Sequence, residues 1–322
     1  MAYNFGHDAH DFSKNELRKY QKERDPSLRY RSPVSFGPAP GPRQPLGLHP
    51  SHSTIQKLRK SKPETSKTYT IRIRSSRTYL QTFLPEGFAF TSPATAASAS
   101  IICTTLDGMT WLGGGGYSYL GLYLHGVNYT AADGKKTFGT FLAVLFENLA
   151  DPIITGRSEL GMPKIYAEID IKEEEGGKGC SIALSWRGTK FGHFSVSGLE
   201  KEAPPPAEGG GPPPQRGPGP PPPPPEQGIF YLRSVPAVGD VSKLDAEYAV
   251  LVPKPETAPS DSEPQSFATK TASIKFEAGD WQSLPTLHHV AEALAEVPVY
   301  AIQEAKFVEA QGVDDLSGAR RI

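Results

Sequence analysis

Cysteine is nearly missing from this chain: only Cys103 and Cys180 occur in 322 residues. Two thiols cannot build a disulfide framework or a Cys-rich metal centre, so a pair of buried free thiols is expected, with a single bridge between them as the alternative. An excess of one charge is also missing. Lys and Arg number 34 against 35 Asp and Glu, a formal net charge of -1, which leaves no global field to draw nucleic acid or an anionic membrane. No uninterrupted apolar run reaches the roughly 18 residues that span a bilayer. The opening MAYNFGHDAHDFSKNELRKY lacks the basic start and apolar stretch of a secretory signal. These absences point to a cytoplasmic protein with neither nucleic acid nor membrane as partner.

Cofactor and nucleophile signatures are lacking too. Gly113 to Gly116 has no spaced dinucleotide glycines, and Gly134-Lys135-Lys136-Thr137 lacks the upstream glycine of a phosphate loop. No Gly-x-Ser-x-Gly elbow exposes a serine. His288-His289 lacks the HExxH spacing that puts two imidazoles on one helical face, and reads as a helix-surface pair. No cofactor and no metal are expected.

What is present is a core-forming composition, 37% hydrophobic and 10% aromatic, enough for one substantial domain. Residues 1–66 are polar and broken by PVSFGPAPGPRQPLGLHP, which reads as a largely disordered tail with one short helical candidate from Ser13 to Glu23. The folded domain is expected over 67–310. It opens where Tyr69, Ile71 and Ile73 alternate with polar residues at the period of a half-buried strand. Gly121 to Tyr129 and Thr137 to Phe146 flank Asp133-Gly134, the dipeptide of a tight hairpin turn. Further short strands are expected at Tyr166 to Ile171, Ser181 to Trp186, His193 to Val196, Phe230 to Val235, Glu247 to Pro253 and Ala272 to Phe276. One helix, capped by Ser283, carries Leu287, Val290, Ala291 and Leu294 on one face before Pro298. Short strands with one good helix argue for a mainly β fold, an antiparallel barrel in preference to a sandwich. The stretch 203–227, APPPAEGGGPPPQRGPGPPPPPPEQ, is too proline-rich for sheet or helix and reads as an exposed loop inserted into that domain. Residues 311–322 read as a C-terminal tail.

The run DPIITGRSELGMPKIY, Asp151 to Tyr166, joins two apolar strands, a place where rigid elements can position a site. Lys164 sits between Pro163 and Ile165-Tyr166. A lysine forced into apolar surroundings is disfavoured as the ammonium and becomes a neutral amine that attacks carbonyls. Residue type alone favours a solvated lysine at a strand entrance, because lysines are rarely buried. Arg157 and Glu159 read as a surface ion pair.

GRSELGMPKIYAEI resembles the Gly-Arg-Glu…Pro-Lys segment of the acetoacetate decarboxylase family, in which the lysine after the proline forms an imine with a β-keto acid. TYTIRIRSSRTYLQTFLPEGF, IFYLRSVPAVG, AEYAVLVP and WQSLPTLHHVAEALAEVPV are similar to other parts of the family, so the likeness runs from Thr68 to Ala305. It implies a β-barrel wrapped in a larger β cone, assembled into homo-oligomers, with Lys164 as the catalytic imine former and Arg157 and Glu159 as substrate-binding residues. The chain departs from the family where the lysine is followed by Ile165 and not by a second lysine. It also departs at GYSYLGLY, Gly116 to Tyr123, and at Ser100 to Thr105, which hold no carboxylate; Tyr117 or Tyr119 stands in the former place. Ser66-Lys67 lies near the family's early pocket arginine. Activation of Lys164 is therefore expected from desolvation alone. The implied function is a Schiff-base decarboxylase-like enzyme acting on a small-molecule β-keto acid of polyketide-type specialised metabolism. The alternatives are an imine-dependent aldolase or dehydratase, and a noncatalytic ligand-binding barrel whose proline loop docks to a partner protein.

Overall fold

Alternation in the sequence becomes alternation in space along the first strand. In β1 (Thr65–Ser76) Tyr69, Ile71 and Ile73 are buried while Arg72 and Arg74 face out. The computed structural model describes residues 26–39, 41–43, 52–202, 225–255, 263–314 and 316–322. In chain order β1 is followed by β2 (Phe88–Phe90), β3 (Ala96–Met109), β4 (Gly115–Thr130), β5 (Lys136–Glu147), β6 (Lys164–Tyr166), β7 (Glu168–Glu173), β8 (Gly179–Trp186) and β9 (Thr189–Ser197). The remaining strands are β10 (Glu200–Lys201), β11 (Gly228–Pro236), β12 (Leu244–Pro253), β13 (Gln265–Thr269), β14 (Thr271–Phe276), β15 (Ala301–Gln311) and β16 (Arg320–Arg321). The α-helices are α1 (His52–Ser61), α2 (Arg77–Gln81), α3 (Ala150–Thr155) and α4 (His288–Ala295).

A 12-stranded sheet runs β10-β13-β15-β1-β3-β4-β5-β11-β12-β16, with β2 on β4 and β6 on β5. The second sheet is β14-β9-β8-β7. Between them lies the main core, where Ile71, Ile101, Leu122 and Phe146 share a cluster with Ile182, Phe194 and Val196, and with Leu284, Leu287, Ala291 and Leu294 around α4. Each such side chain contributes about 1.5–3 kcal/mol by leaving water, which makes this interface the dominant stabilising feature. A smaller cluster of Tyr123, Leu142, Leu145, Tyr231, Val250 and Val252 forms separately. It is this smaller cluster that borders the lysine site.

The expected hairpin is present: β4 and β5 are antiparallel, and Gly134 at the turn has φ +82, a conformation that only glycine adopts freely. Cys103 and Cys180 are both buried and free. Among the described residues no helix is long and apolar enough to cross a membrane.

The fold departs from the sequence reading in five places. The chain is mainly β, but its large sheet is mixed and open where a closed antiparallel barrel is expected from the sequence. β5 pairs in parallel with both β6 and β11, and the large sheet ends at β10 and β16. β3 and β15 went unread, because AASASIICTTLDGM and AIQEAKFVEAQ mix small and charged residues into the alternation. The late helix begins at His288, after Leu287; Ser283 instead closes a turn, its amide donating to Asp280 Oδ1 at 2.7 Å. The supposed C-terminal tail supplies β16, which pairs with β12, while Arg321 lies 4.7 Å over the Tyr248 ring. Finally, the N-terminal stretch read as a largely disordered tail holds α1 and the start of β1, and its Arg31 and Arg43 reach the turn beside Lys164. The helical candidate Ser13 to Glu23 and residues 203–224 of the proline-rich stretch lie outside the described residues.

Candidate active site

Lys164 opens β6, whose parallel partner is the end of β5, with Leu145 opposite Lys164 and Glu147 opposite Tyr166. Across the antiparallel β4 and β5 pair, Gly121 faces Leu145 and Tyr119 faces Glu147. Directly opposed residues project from the same face, so Tyr119, Glu147 and Lys164 share one side of the large sheet. The short connection from β5 to β6 is α3 followed by a π-helical turn, Gly156–Leu160. Widened turns of this kind interrupt the regular ladder and are frequent at functional sites.

Two glycines shape that turn. A Cβ at Gly156 would lie 2.5 Å from Lys164 Cε and 2.7 Å from Nζ, so a larger residue there would displace the amine from its place beside Glu147. Gly161 ends the turn at φ +73, where a Cβ would also meet the Arg233 side chain at 2.6 Å. Arg233 in turn donates to the Ser158 carbonyl at 3.2 Å, and Tyr231 donates to that of Leu160 at 3.1 Å. The turn is thus fixed at both ends.

Lys164 is 5% exposed and Glu147 fully buried. Nζ lies 2.7 Å from Glu147 Oε1 and donates to the Pro152 carbonyl at 3.2 Å. Neither Glu147 oxygen has a well-oriented hydrogen bond, despite the short contact with the amine. A buried carboxylate without oriented donors is costly as an anion. Burial accordingly raises the Glu147 carboxyl above its ordinary range, against the opposing pull of Lys164. Burial likewise lowers Lys164; Glu147 opposes that shift and Arg43 reinforces it. The pair is driven toward its neutral form, an amine beside a carboxylic acid.

The other expected site residues gather around the same turn and strand. Arg157 and Glu159 are not paired with each other. Arg157 donates to the backbone carbonyl of Lys164 at 2.8 Å and so orients the strand that carries the amine. Glu159 instead binds Arg31 at 2.9 Å and Arg43 at 2.7 Å. Tyr117 and Tyr119 lie with ring centroids 6.3 Å apart. Burial raises the Tyr117 hydroxyl strongly, with Glu147 adding to the effect, and pushes that of Tyr119 up to about 12. Lys67 is elsewhere, paired with Glu173 at 2.9 Å.

Three site residues escaped the sequence reading. The sequence reading looks for a pocket carboxylate in Gly116 to Tyr123 and Ser100 to Thr105, on β4 and β3, and finds none, whereas Glu147 comes from β5, one residue past the expected strand end at Phe146. A lone carboxylate closing the apolar run TFLAVLFE was the signal available. Arg31 and Arg43 sit in the segment whose composition reads as tail. Desolvation is therefore not the only influence on Lys164.

Comparison with known proteins gives the family and the fold. The family described as acetoacetate decarboxylase (ADC) matches residues 44–310. Among solved structures, the enduracididine biosynthesis enzyme MppR complexed with pyruvate superposes with TM-score 0.52 at 14% identity, covering 80% of this chain and 88% of that one. Acetoacetate decarboxylase from Legionella pneumophila gives TM-score 0.52 at 14% identity, covering 81% and 87%. An acetoacetate decarboxylase-like enzyme from Sphingomonas wittichii RW1 gives 0.51 at 16% identity, covering 80% and 91%. No curated protein matches the chain in sequence. With the match spanning most of the chain and the fold shared, the chain belongs to the acetoacetate decarboxylase family.

Proposed function

We propose that the protein is a Schiff-base-forming, decarboxylase-like enzyme acting on a β-keto acid. The observation that carries this reading is the Lys164 amine, buried and 2.7 Å from the buried carboxyl of Glu147, which burial shifts toward holding its proton. The neutral amine attacks the ketone carbon, and the Glu147 proton goes to the departing oxygen, which leaves as water to give a protonated imine. The bond to the substrate carboxylate then breaks. Carbon dioxide departs, and the electron pair passes to the imine nitrogen, forming an enamine. Glu147, reprotonated from solvent, delivers a proton to the enamine carbon. Hydrolysis releases the ketone and restores the amine, so one proton is consumed per turnover.

Tyr117, Tyr119 and Tyr231 beside Met162 give the surroundings an aromatic, weakly polar character. That favours bulky β-keto acids of the kind made in polyketide-type metabolism. A second reading keeps the imine but uses its enamine for carbon-carbon bond formation or dehydration. It draws support from MppR, known in complex with the condensation product of pyruvate and imidazole 4-carboxaldehyde.

Release of labelled carbon dioxide from carboxyl-labelled acetoacetate and from larger aromatic β-keto acids separates the two. The decarboxylase reading expects release well above the uncatalysed rate with at least one substrate. No release from any of them, with condensation products from pyruvate and an aldehyde, would favour the second reading.

A further inference from the structure

The two arginines on Glu159 come from residues 31 and 43, before the stretch 44–310 that matches the family. Their segment is well anchored on the site. Arg31 Nη1 donates to Glu159 Oε1 at 2.9 Å and to Thr155 Oγ1 at 3.0 Å; Arg43 donates through Nε to Glu159 Oε2 at 2.7 Å and through Nη2 to the Thr155 carbonyl at 3.4 Å. The Glu159 side chain is 8% exposed and the arginines 15% and 12%, so this is a desolvated, two-pronged grip, unlike a loose surface pair. Gly41 lies within it, since a Cβ there would meet Arg31 Nη1 at 3.3 Å. The Thr155 carbonyl that Arg43 holds belongs to the residue just before Gly156, the glycine against which Lys164 lies.

We propose that this N-terminal strap is a working part of the lysine site, with Arg43 as the site's second cation and Glu159 as the anchor that Arg31 and Arg43 jointly grip. The inference deepens the imine reading and rests on it. Lys164 is followed by Ile165, so no neighbouring side chain on its own strand supplies a positive charge. Arg43 supplies one from outside the strand. A permanently charged guanidinium beside a buried amine makes a second positive charge there unfavourable and keeps the amine neutral and nucleophilic. Glu147 from β5 touches the amine at 2.7 Å and acts in the opposite sense, while Arg43 from the strap holds the Thr155 carbonyl beside Gly156, the residue against which the amine lies; Tyr117 on β4 is influenced by both charges. Arg43 is on this account a positioning and tuning residue, acting through Lys164.

The test reads the titration of Lys164 without any keto acid. The full-length protein is pulse-labelled with acetic anhydride over a neutral to alkaline pH series, and acetylation of Lys164 is followed by mass spectrometry. Arg43→Met is expected to move half-maximal labelling to higher pH, with about a tenfold lower rate at fixed pH for each unit moved. Arg43→Lys, which keeps the charge but loses the two-pronged fit, is expected to label like the parent. If R43M is unfolded, Glu159→Gln serves instead, with the same upward shift because Arg43 loses its anchor. Parental labelling in R43M, or equal shifts in R43M and R43K, would overturn the proposal. A normal labelling shift without any imine formed on keto acids would instead sink the enzyme reading and leave the strap's electrostatic role standing.

Discussion

Lys164→Met is expected to abolish turnover and every reducible adduct, and to change stability in a way that depends on pH. Methionine fills much of the lysine's volume, so packing is largely kept; what is lost is the partner of Glu147. Removing one member of a buried pair costs about 3 kcal/mol or more when the other stays charged. Glu147 escapes part of this by holding its proton. Its carboxyl is raised above the ordinary range by burial, and the loss of Lys164 removes the one influence that opposed the shift. A group whose folded pKa is raised contributes stability that is fully present below its unfolded pKa and lost as pH rises through the folded one. K164M is therefore expected to approach parental stability in mild acid and to fall below it as pH rises, as read from urea unfolding at a series of pH values.

Glu147→Leu is expected to show the opposite slope. Lys164 is already lowered by burial and by Arg43, and Glu147 is the group that opposes the shift. A depressed folded pKa contributes stability that is present above the unfolded value and lost as pH falls through the folded one. E147L is thus destabilised in acid and spared in alkali. Its chemistry divides in the same way: the amine remains neutral and still forms an adduct, but the proton donor for the departing oxygen and for the enamine carbon is gone. Turnover is expected to drop by about 10²–10⁴-fold, while Lys164 stays reducible on prolonged incubation. Parallel pH slopes in K164M and E147L would mean that the two groups are not a coupled buried pair.

The sequence pointed to the lysine and not to its surroundings, for physical reasons visible in particular residues. Pro163-Lys164 and the apolar residues around it marked a possible nucleophile, and alternation in β1 and the Asp133-Gly134 turn marked the sheet. Both signals are local. Glu147 and Lys164 are joined by the parallel pairing of β5 with β6 across a helix and a π-helical turn, and no periodicity foretells that contact. Glu159 is visible in the sequence, but its partners lie 128 and 116 residues away, and the pattern offers only the neighbouring cation Arg157 in their place. The strap is hidden by its own composition: Arg31 and Arg43 flank a proline- and glycine-rich stretch whose pattern is that of disorder, and the buried carboxylate of Glu159 with Thr155 beside it gives the two arginines a place to bind. Mixed pairing escaped for a similar reason. The short parallel contacts of β5 with β6 and β11 leave no mark in the sequence of β5 beyond its dense apolar run.

The imine itself is the central claim, and one measurement addresses it most directly. The full-length protein is incubated with acetoacetate, reduced with borohydride, digested and weighed. The expected result is an N-isopropyl group on Lys164, the reduced imine of the acetone left after carbon dioxide departs. An adduct on Lys164 that retains the carboxylate would show imine formation without decarboxylation. No adduct on Lys164 with acetoacetate, with larger β-keto acids or with pyruvate would contradict the account.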